Sequence, residues 1–243
     1  MMANKHLLNA HSIFSFDCHP GISCFTDCCH DVDMILYPYD IIRLKDCLKI
    51  DSASFLERYT EIEFDEGVWF PHLKLKMAAS NACPFLDSNG CSVYKDRPFS
   101  CRSYPLARSV KRAFSPDKQV EKYYLVRHPY CRGHESPRQW HLSEWIENSC
   151  LQIFNEMNAQ WIAIYTILKS YPFETKGMNM NFFRLLFCAS YNLDNFRMLI
   201  DTCLTDEMNI SKGFIKQARS CDIHLMQVGF AFIHHCLTGE SLK

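Results

Sequence analysis

The sequence has almost no net charge and no long uninterrupted hydrophobic run. Its 26 basic and 27 acidic side chains leave a formal charge of −1, so no overall field draws it to nucleic acid or anionic lipid. The most apolar windows, around residues 161–168 and 182–189, are interrupted by polar residues well before they reach bilayer length. Residues 1–10 lack the apolar core of a secretory signal. We therefore expect a cytoplasmic protein that binds neither nucleic acid nor membrane.

Sequence signatures for nucleotide sites and zinc ribbons are also missing. The chain has 8 glycines in 243 residues, and no glycine-rich nucleotide or S-adenosylmethionine (SAM) loop follows a predicted strand. It has no Cys-x2-Cys pair of the kind that zinc ribbons favour. The Cys-x3-Cys-x2-Cys run of radical SAM enzymes is absent as well. No substrate class is therefore indicated by a motif.

Cysteine, in contrast, is abundant, with 14 residues in the chain. In a compartment that keeps thiols reduced, clustered cysteines more often bind metal or carry redox chemistry than form disulfides. Six of the cysteines lie inside apolar, helix-like stretches, where we expect buried free thiols. These six are Cys47, Cys150, Cys188, Cys203, Cys221 and Cys236.

The other eight cysteines lie in segments rich in turn-forming residues. They form the groups Cys18-x5-Cys24-x3-Cys28-Cys29 and Cys83-x7-Cys91-x9-Cys101, followed by Cys131. Eight thiolates can supply two tetrahedral sites of four sulfurs, or hold one iron–sulfur cluster with some left over. Loops with so little apolar content need such bonds, because they cannot build a core of their own.

The adjacent pair Cys28-Cys29 bears on the choice of metal. In a regular helix Cys29 would be rotated by about 100° from Cys28, so the two thiols either serve two centres or lie on irregular backbone. Adjacent cysteines and irregular spacing are easier to fit around an iron–sulfur cluster, preferably 4Fe–4S, than around zinc. Both cofactors stay open from the residues alone.

The apolar spacing predicts an α+β fold in two domains. Residues 1–136 would form a small, irregular, metal-nucleated cysteine-cluster domain with short strands and helices. Residues 137–243 would form a mainly α-helical domain packed on it. One long amphipathic run covers 140–168, and further helical segments cover 181–204 and 215–237.

Two local signals concern the cysteines directly. The turn-forming run 87–90 predicts a hairpin that brings Cys83 and Cys91 together. A short helix that opens at Pro98 would carry Cys101.

Over residues 14–133 an ordered series of motifs resembles one known family. The motifs are Phe16-x-Cys18, Gly21-x-x-Cys24-Phe25-x-Asp27-Cys28-Cys29, Pro38-Tyr39-Asp40-x-x-Arg43-Leu44, Phe55-x-x-x-Tyr59, Cys83-Pro84-Phe85-Leu86, Gly90-Cys91-Ser92-Val93-Tyr94, Arg97-Pro98 and Cys101-Arg102-x-Tyr104-Pro105-Leu106. The family is the YkgJ-like cysteine-cluster family of CxxCxxCC type, described as a zinc- or iron-chelating domain. It is distantly related to the bacterial flagellin lysine N-methylase, whose similar cysteine cluster is associated with an iron–sulfur centre.

The resemblance implies a set of metal ligands. They are Cys18, Cys24, Cys28, Cys29, Cys83, Cys91, Cys101 and Cys131. Arg97 and Arg102 flank the third cysteine group, where they can bind the cofactor by donating to its sulfurs or balancing thiolate charge. The alternative for both is an ordinary surface cation or salt bridge. His19, His30 and His134 are each close to a candidate ligand, and one of them can replace a thiolate.

Three functions follow from these residues. The first is a redox or metal-handling module that binds iron–sulfur or zinc. The second, implied by the resemblance alone, is a SAM-dependent protein lysine N-methyltransferase. The third is a structural zinc domain that presents the helical half to a protein partner. Metal ions are the expected partners in each case.

Overall fold

The computed structural model describes residues 4–112, 119–171, 179–204 and 208–240. The chain divides into two compact units that alternate along the sequence. The first consists of Met1–Met34 and Met77–Glu156, and the second of Ile35–Lys76 and Met157–Lys243. Short antiparallel strands accompany a helical C-terminal half, so the predicted α+β class is confirmed. The division into separate domains at residue 136 stays a prediction.

The described residues contain short strands and mostly short helices. The strands are β1 (Asn4–Leu8), β2 (Ile13–Ser15), β3 (Ile35–Leu36), β4 (Thr60–Glu63), β5 (His72–Leu75), β6 (Leu86–Asp87), β7 (Gly90–Cys91), β8 (Leu106–Arg112), β9 (Gln119–Arg127) and β10 (Gln139–His141). The helices are α1 (Pro38–Leu48), α2 (Ser52–Tyr59), α3 (Phe99–Ser103), α4 (Leu142–Asn148), α5 (Leu151–Ser170), α6 (Met180–Ser190), α7 (Leu193–Cys203), α8 (Lys212–Ala218) and α9 (Asp222–Thr238). None of the helices in this part of the chain combines the length and apolarity that a membrane span requires.

In the first unit, a small aromatic core holds the ends of the cysteine-bearing loops. Strand β9 lies between β1 and β8, and β10 pairs with β2, all antiparallel. Phe16, two residues before Cys18, is buried edge-on against Trp145 with ring centroids 5.4 Å apart. The Trp145 indole N–H also donates to the carbonyl of Ser103, at 3.2 Å, in the helix that carries Cys101. The core therefore fixes where the cysteine loops begin and end.

Gly133 is needed where two loops of this unit touch. Asp17 N–H donates to the Gly133 carbonyl at 3.0 Å. A Cβ at this position would lie 2.6 Å from the Asp17 carbonyl oxygen and from the Phe16 ring, closer than real contacts allow. Only glycine lets the segment after Cys131 pack this tightly.

The second unit joins a three-stranded antiparallel sheet, ordered β3-β5-β4, to a helical core. Phe70, Tyr191, Phe196 and Phe230 are almost fully buried. Helices α6 and α9 cross closely at Gly229, where a Cβ would lie only 2.3 Å from a backbone carbonyl oxygen. Large aromatic side chains thus pack around one close helix crossing.

Two sequence predictions differ from the structure. The amphipathic run 140–168 is broken: α4 ends at Asn148, Cys150 has a left-handed φ of 49°, and α5 begins at Leu151. Of the six cysteines outside the cluster, the predicted burial is confirmed for Cys203, but Cys188, Cys221 and Cys236 are partly exposed, and Cys47 and Cys150 are exposed. Cys150 is exposed because it occupies the break between two helices.

Candidate metal centre

The first cysteine segment runs in successive turns instead of a regular helix. Thr26 has a left-handed φ of 70°, and one turn of 3-10 helix follows over Asp27–Cys29. Cys29 N–H closes this turn on the Thr26 carbonyl at 2.8 Å. The alternative of irregular backbone is therefore confirmed. On this backbone the adjacent thiols of Cys28 and Cys29 hydrogen bond to each other.

The predicted hairpin is present and lies directly beside this segment. Strands β6 and β7 pair Leu86 with Cys91, and Gly90 makes the turn with a φ of 113°. Cys83 N–H donates to the Cys29 carbonyl at 2.7 Å, and His30 forms an antiparallel bridge with Ala82. The two cysteine-bearing regions, distant in sequence, therefore come together in the fold.

Three thiols form what we call the first thiol group: Cys18, Cys24 and Cys131. Cys24 and Cys131 hydrogen bond through their side chains. Partial desolvation, with the nearby Cys28, Cys131 and Cys24, raises the pKa of Cys18 to about 11. Without metal these crowded sulfurs therefore favour the neutral thiol.

Four thiols form the second thiol group: Cys29, Cys83, Cys91 and Cys101. The hydrogen bond with Cys28 raises the pKa of Cys29, and burial and the nearby Cys83 and Cys101 act in the same direction. Cys83 in turn is close to Cys91. Cys28 adjoins both groups, since it also interacts with Cys18, Cys83 and Cys91.

Backbone amides point at the sulfurs of both groups. Partial burial raises the pKa of Cys83, Cys91 and Cys131, and the N–H two residues further along opposes this by donating to each sulfur. A fourth amide, Arg132 N–H, lies 3.1 Å from Cys24 Sγ. A neutral thiol is a weak acceptor, so these donors favour the thiolate, which is the metal-binding form. This donor set fits zinc or iron.

Comparison with known families agrees with that chemistry. Residues 17–132 match the CxxCxxCC family, described as a "putative zinc- or iron-chelating domain". Residues 17–132 are therefore similar to this family, and we call the segment the CxxCxxCC domain. No curated protein and no solved structure matches the chain. The matched segment contains all eight clustered cysteines, and metal chelation is the function that this similarity supports.

Within the CxxCxxCC domain the thiols are paired with one another. Across the described ranges 4–112, 119–171, 179–204 and 208–240, no three Cys, His, Asp or Glu side chains are arranged to hold a metal ion. Instead, Cys28 forms an S–H···S hydrogen bond with Cys29, and Cys24 forms one with Cys131. To bind metal, these side chains must lose their protons and turn towards the ion.

Cys28 is the thiol best prepared for this change. Its hydrogen bond with Cys29 lowers the pKa of Cys28 to about 7, against the effect of burial. The lowered pKa favours the thiolate form of Cys28, and this side chain reaches solvent. It is therefore the natural first ligand for an incoming metal ion.

The two arginines of the CxxCxxCC domain have different surroundings. Arg97 donates to the Tyr94 carbonyl at 2.7 Å and lies 3.9 Å over the Tyr94 ring. Its charge also acts to lower the pKa of Cys91, which burial raises overall. Arg102 is buried; it donates to the Ser149 carbonyl at 3.1 Å and to the carbonyl of Lys95. Cofactor binding by either arginine stays a prediction.

Tyr104 is a neighbour of the thiols that sequence reasoning missed. Its hydroxyl donates to Cys131 and lies 3.2 Å from His134 Nε2. Since the hydroxyl has one proton, its oxygen accepts from His134 when it donates to Cys131. Its position three residues after Cys101 is the sequence feature that could have identified it. Of the other histidines, His19 accepts from Gly21 N–H at 3.1 Å.

Proposed function

We propose that the CxxCxxCC domain binds iron as iron–sulfur clusters, with 4Fe–4S favoured, and that the protein is a redox or metal-handling module. One centre would use Cys28 and the first thiol group. The other would use the second thiol group. Each centre then has the four thiolates that one cluster requires. A bound cluster would supply one-electron transfer.

The N–H···S hydrogen bonds are the observation that carries the proposal. Amides donate to Cys24 and Cys131 in one group and to Cys83 and Cys91 in the other. Such donors stabilise anionic sulfur and tune the reduction potential of a cluster. Arg97, close to Cys91, offsets part of the negative charge.

Iron is preferred to zinc on the spacing of the ligands. The chain has no Cys-x2-Cys pair, and its adjacent thiols Cys28 and Cys29 would serve different centres. Irregular spacing of this kind is easier to arrange around a polynuclear cluster than around single tetrahedral ions.

Anaerobic purification with metal, sulfide and visible-spectrum analysis tests the proposal. We expect a brown protein with iron and inorganic sulfide in equal amounts. Cys91→Ser and Cys131→Ser, one from each group, should each lose about half of the iron if there are two centres. Cys150→Ser changes an exposed cysteine outside the cluster and should retain all of it.

Other outcomes would contradict the proposal in different ways. A colourless protein with about two zinc ions per chain would support the structural zinc domain instead. A metal-free protein whose fold survives alkylation of every thiol would refute metal binding at this site altogether.

A further inference from the structure

A pocket of about 530 Å³ opens in the second unit. Helix α1, the start of α7 and the link between α8 and α9 form its walls. Its charged lining residues are Arg43, Lys45, Asp46, Asp194, Arg197, Arg219 and Asp222. A volume of this size is in the range of small-molecule sites. None of the lining residues is a cysteine of the CxxCxxCC domain, and the pocket's chemistry does not depend on metal.

Two partly buried carboxylates of the pocket, Asp194 and Asp222, already accept from protein donors. Asp222 lies 2.6 Å from Lys45 Nζ and accepts from Arg197 with its other oxygen. Asp194 accepts from Ser52 N–H at 2.7 Å and from Arg197 at 3.0 Å, with Lys45 at 3.3 Å. Both oxygens of each of these two carboxylates therefore already have protein partners.

Two cationic side chains of the lining, Arg197 and Arg219, can still donate hydrogen bonds. Four cationic side chains line the pocket against three carboxylates, which leaves one net positive charge. In the described part of the chain, the buried Nε of Arg197 has no hydrogen-bond partner. Among the described residues, the half-exposed Arg219 pairs only with the exposed Asp201, which does not line the pocket. Both arginines can donate to anionic oxygens.

The start of helix α9 and the apolar lining define the ligand further. No side chain caps the first turn of α9 among the described residues, and Ile223 of that turn lines the pocket. Free N–H groups at a helix start favour negative charge. Ile223 is partly exposed and adds apolar surface beside the charged groups, and the nearly buried Tyr39 and Ile42 add only small apolar edges.

We propose that this pocket binds a small organic anion in which a carboxylate or phosphate group is joined to an apolar body. Arg219 and Arg197 donate to the anionic oxygens, and the apolar part lies against Tyr39, Ile42 and Ile223. Phosphate and carboxylate share this chemistry, and separate probes distinguish them.

Isothermal titration of the full chain with phenyl phosphate, benzoate and inorganic phosphate tests this site. We expect one of the two organic anions to bind more tightly than inorganic phosphate. Arg219→Gln should weaken that binding about tenfold, as loss of one charge-assisted hydrogen bond implies, and Arg219→Lys should retain part of it. The matched control Arg184→Gln, an exposed arginine of the same unit outside the pocket, should bind as the parent does.

Thermal melts of each variant show whether it is folded, and little change is expected since the Arg219–Asp201 pair is exposed. Failure of both organic probes to bind at about 10 mM, a concentration that would detect even weak sites, would overturn the proposal. Equal affinity for inorganic phosphate, or an Arg219→Gln affinity equal to that of the parent, would overturn it as well.

Discussion

Replacing Arg102 with glutamine tests whether this side chain stabilises the fold or acts on the cofactor. Arg102 is 6% exposed, and its guanidinium lies 4.6 Å over the Phe154 ring while donating to the carbonyls of Ser149 and Lys95. These contacts tie α3, which carries Cys101, to the break between α4 and α5. Arg102→Gln removes the positive charge and one of these two hydrogen bonds.

The expected loss of stability follows from these contacts. A hydrogen bond from a charged donor contributes about 1.5–3 kcal/mol, and a cation–π contact adds about 1 kcal/mol. Glutamine can keep one of the hydrogen bonds, so we expect a net loss of about 3 kcal/mol. For a chain of this size the loss corresponds to a melting point lowered by roughly 6–12 °C.

Thermal unfolding followed by circular dichroism, with metal analysis of the folded protein, measures both effects. Arg97→Gln is the stability control, because Arg97 is less buried than Arg102 and makes its hydrogen bond and its ring contact with Tyr94. It should cost about 1 kcal/mol or less. If Arg102→Gln melts within about 1 °C of the parent but loses metal, the tie is unimportant and Arg102 acts on the cofactor.

Two further predictions concern the fold around each site. Gly133→Ala should destabilise the first unit by about 2 kcal/mol or more, because the new Cβ would meet a backbone oxygen at 2.6 Å. Gly213 lies on α8 in open space, so Gly213→Ala should instead stabilise the fold by about 0.5–1 kcal/mol. Urea unfolding of both variants measures this difference. Burial acts to raise the pKa of Asp194, but hydrogen bonds from Ser52 and the charge of Lys45 outweigh it and hold the pKa below its usual value. This carboxylate therefore stabilises the fold above about pH 4, and that contribution is lost as the pH falls through the folded-state pKa. Melting points measured from pH 7 to pH 3 should fall less steeply for Asp194→Asn than for the parent, and parallel curves would contradict this assignment.

Signals carried by neighbouring residues predicted local structure well. The run 87–90 predicted the hairpin, since Gly90 supplies the positive φ that the turn requires. Pro98 predicted the start of the short helix α3, which begins at Phe99 and carries Cys101. Each of these outcomes depends on a few consecutive residues, which is why they could be read directly.

The break between α4 and α5 could not be predicted in this way. The apolar spacing continues through residues 140–168, and neither glycine nor proline interrupts it near Ser149. In the fold, the Ser149 carbonyl accepts from the buried Arg102, 47 residues earlier in the chain. A contact between distant residues thus overrides the local periodicity.

The sequence by itself determined the chemistry of the candidate site. Eight cysteines in turn-rich, weakly apolar segments establish the donor type and its preference for zinc or iron. Only the tertiary structure decided which thiols are neighbours, because the Cys83–Cys29 and Arg132–Cys24 hydrogen bonds join residues far apart in the chain. The same is true of the proposed anion-binding pocket, whose cationic side chains come from three separate segments and meet only when the helices pack.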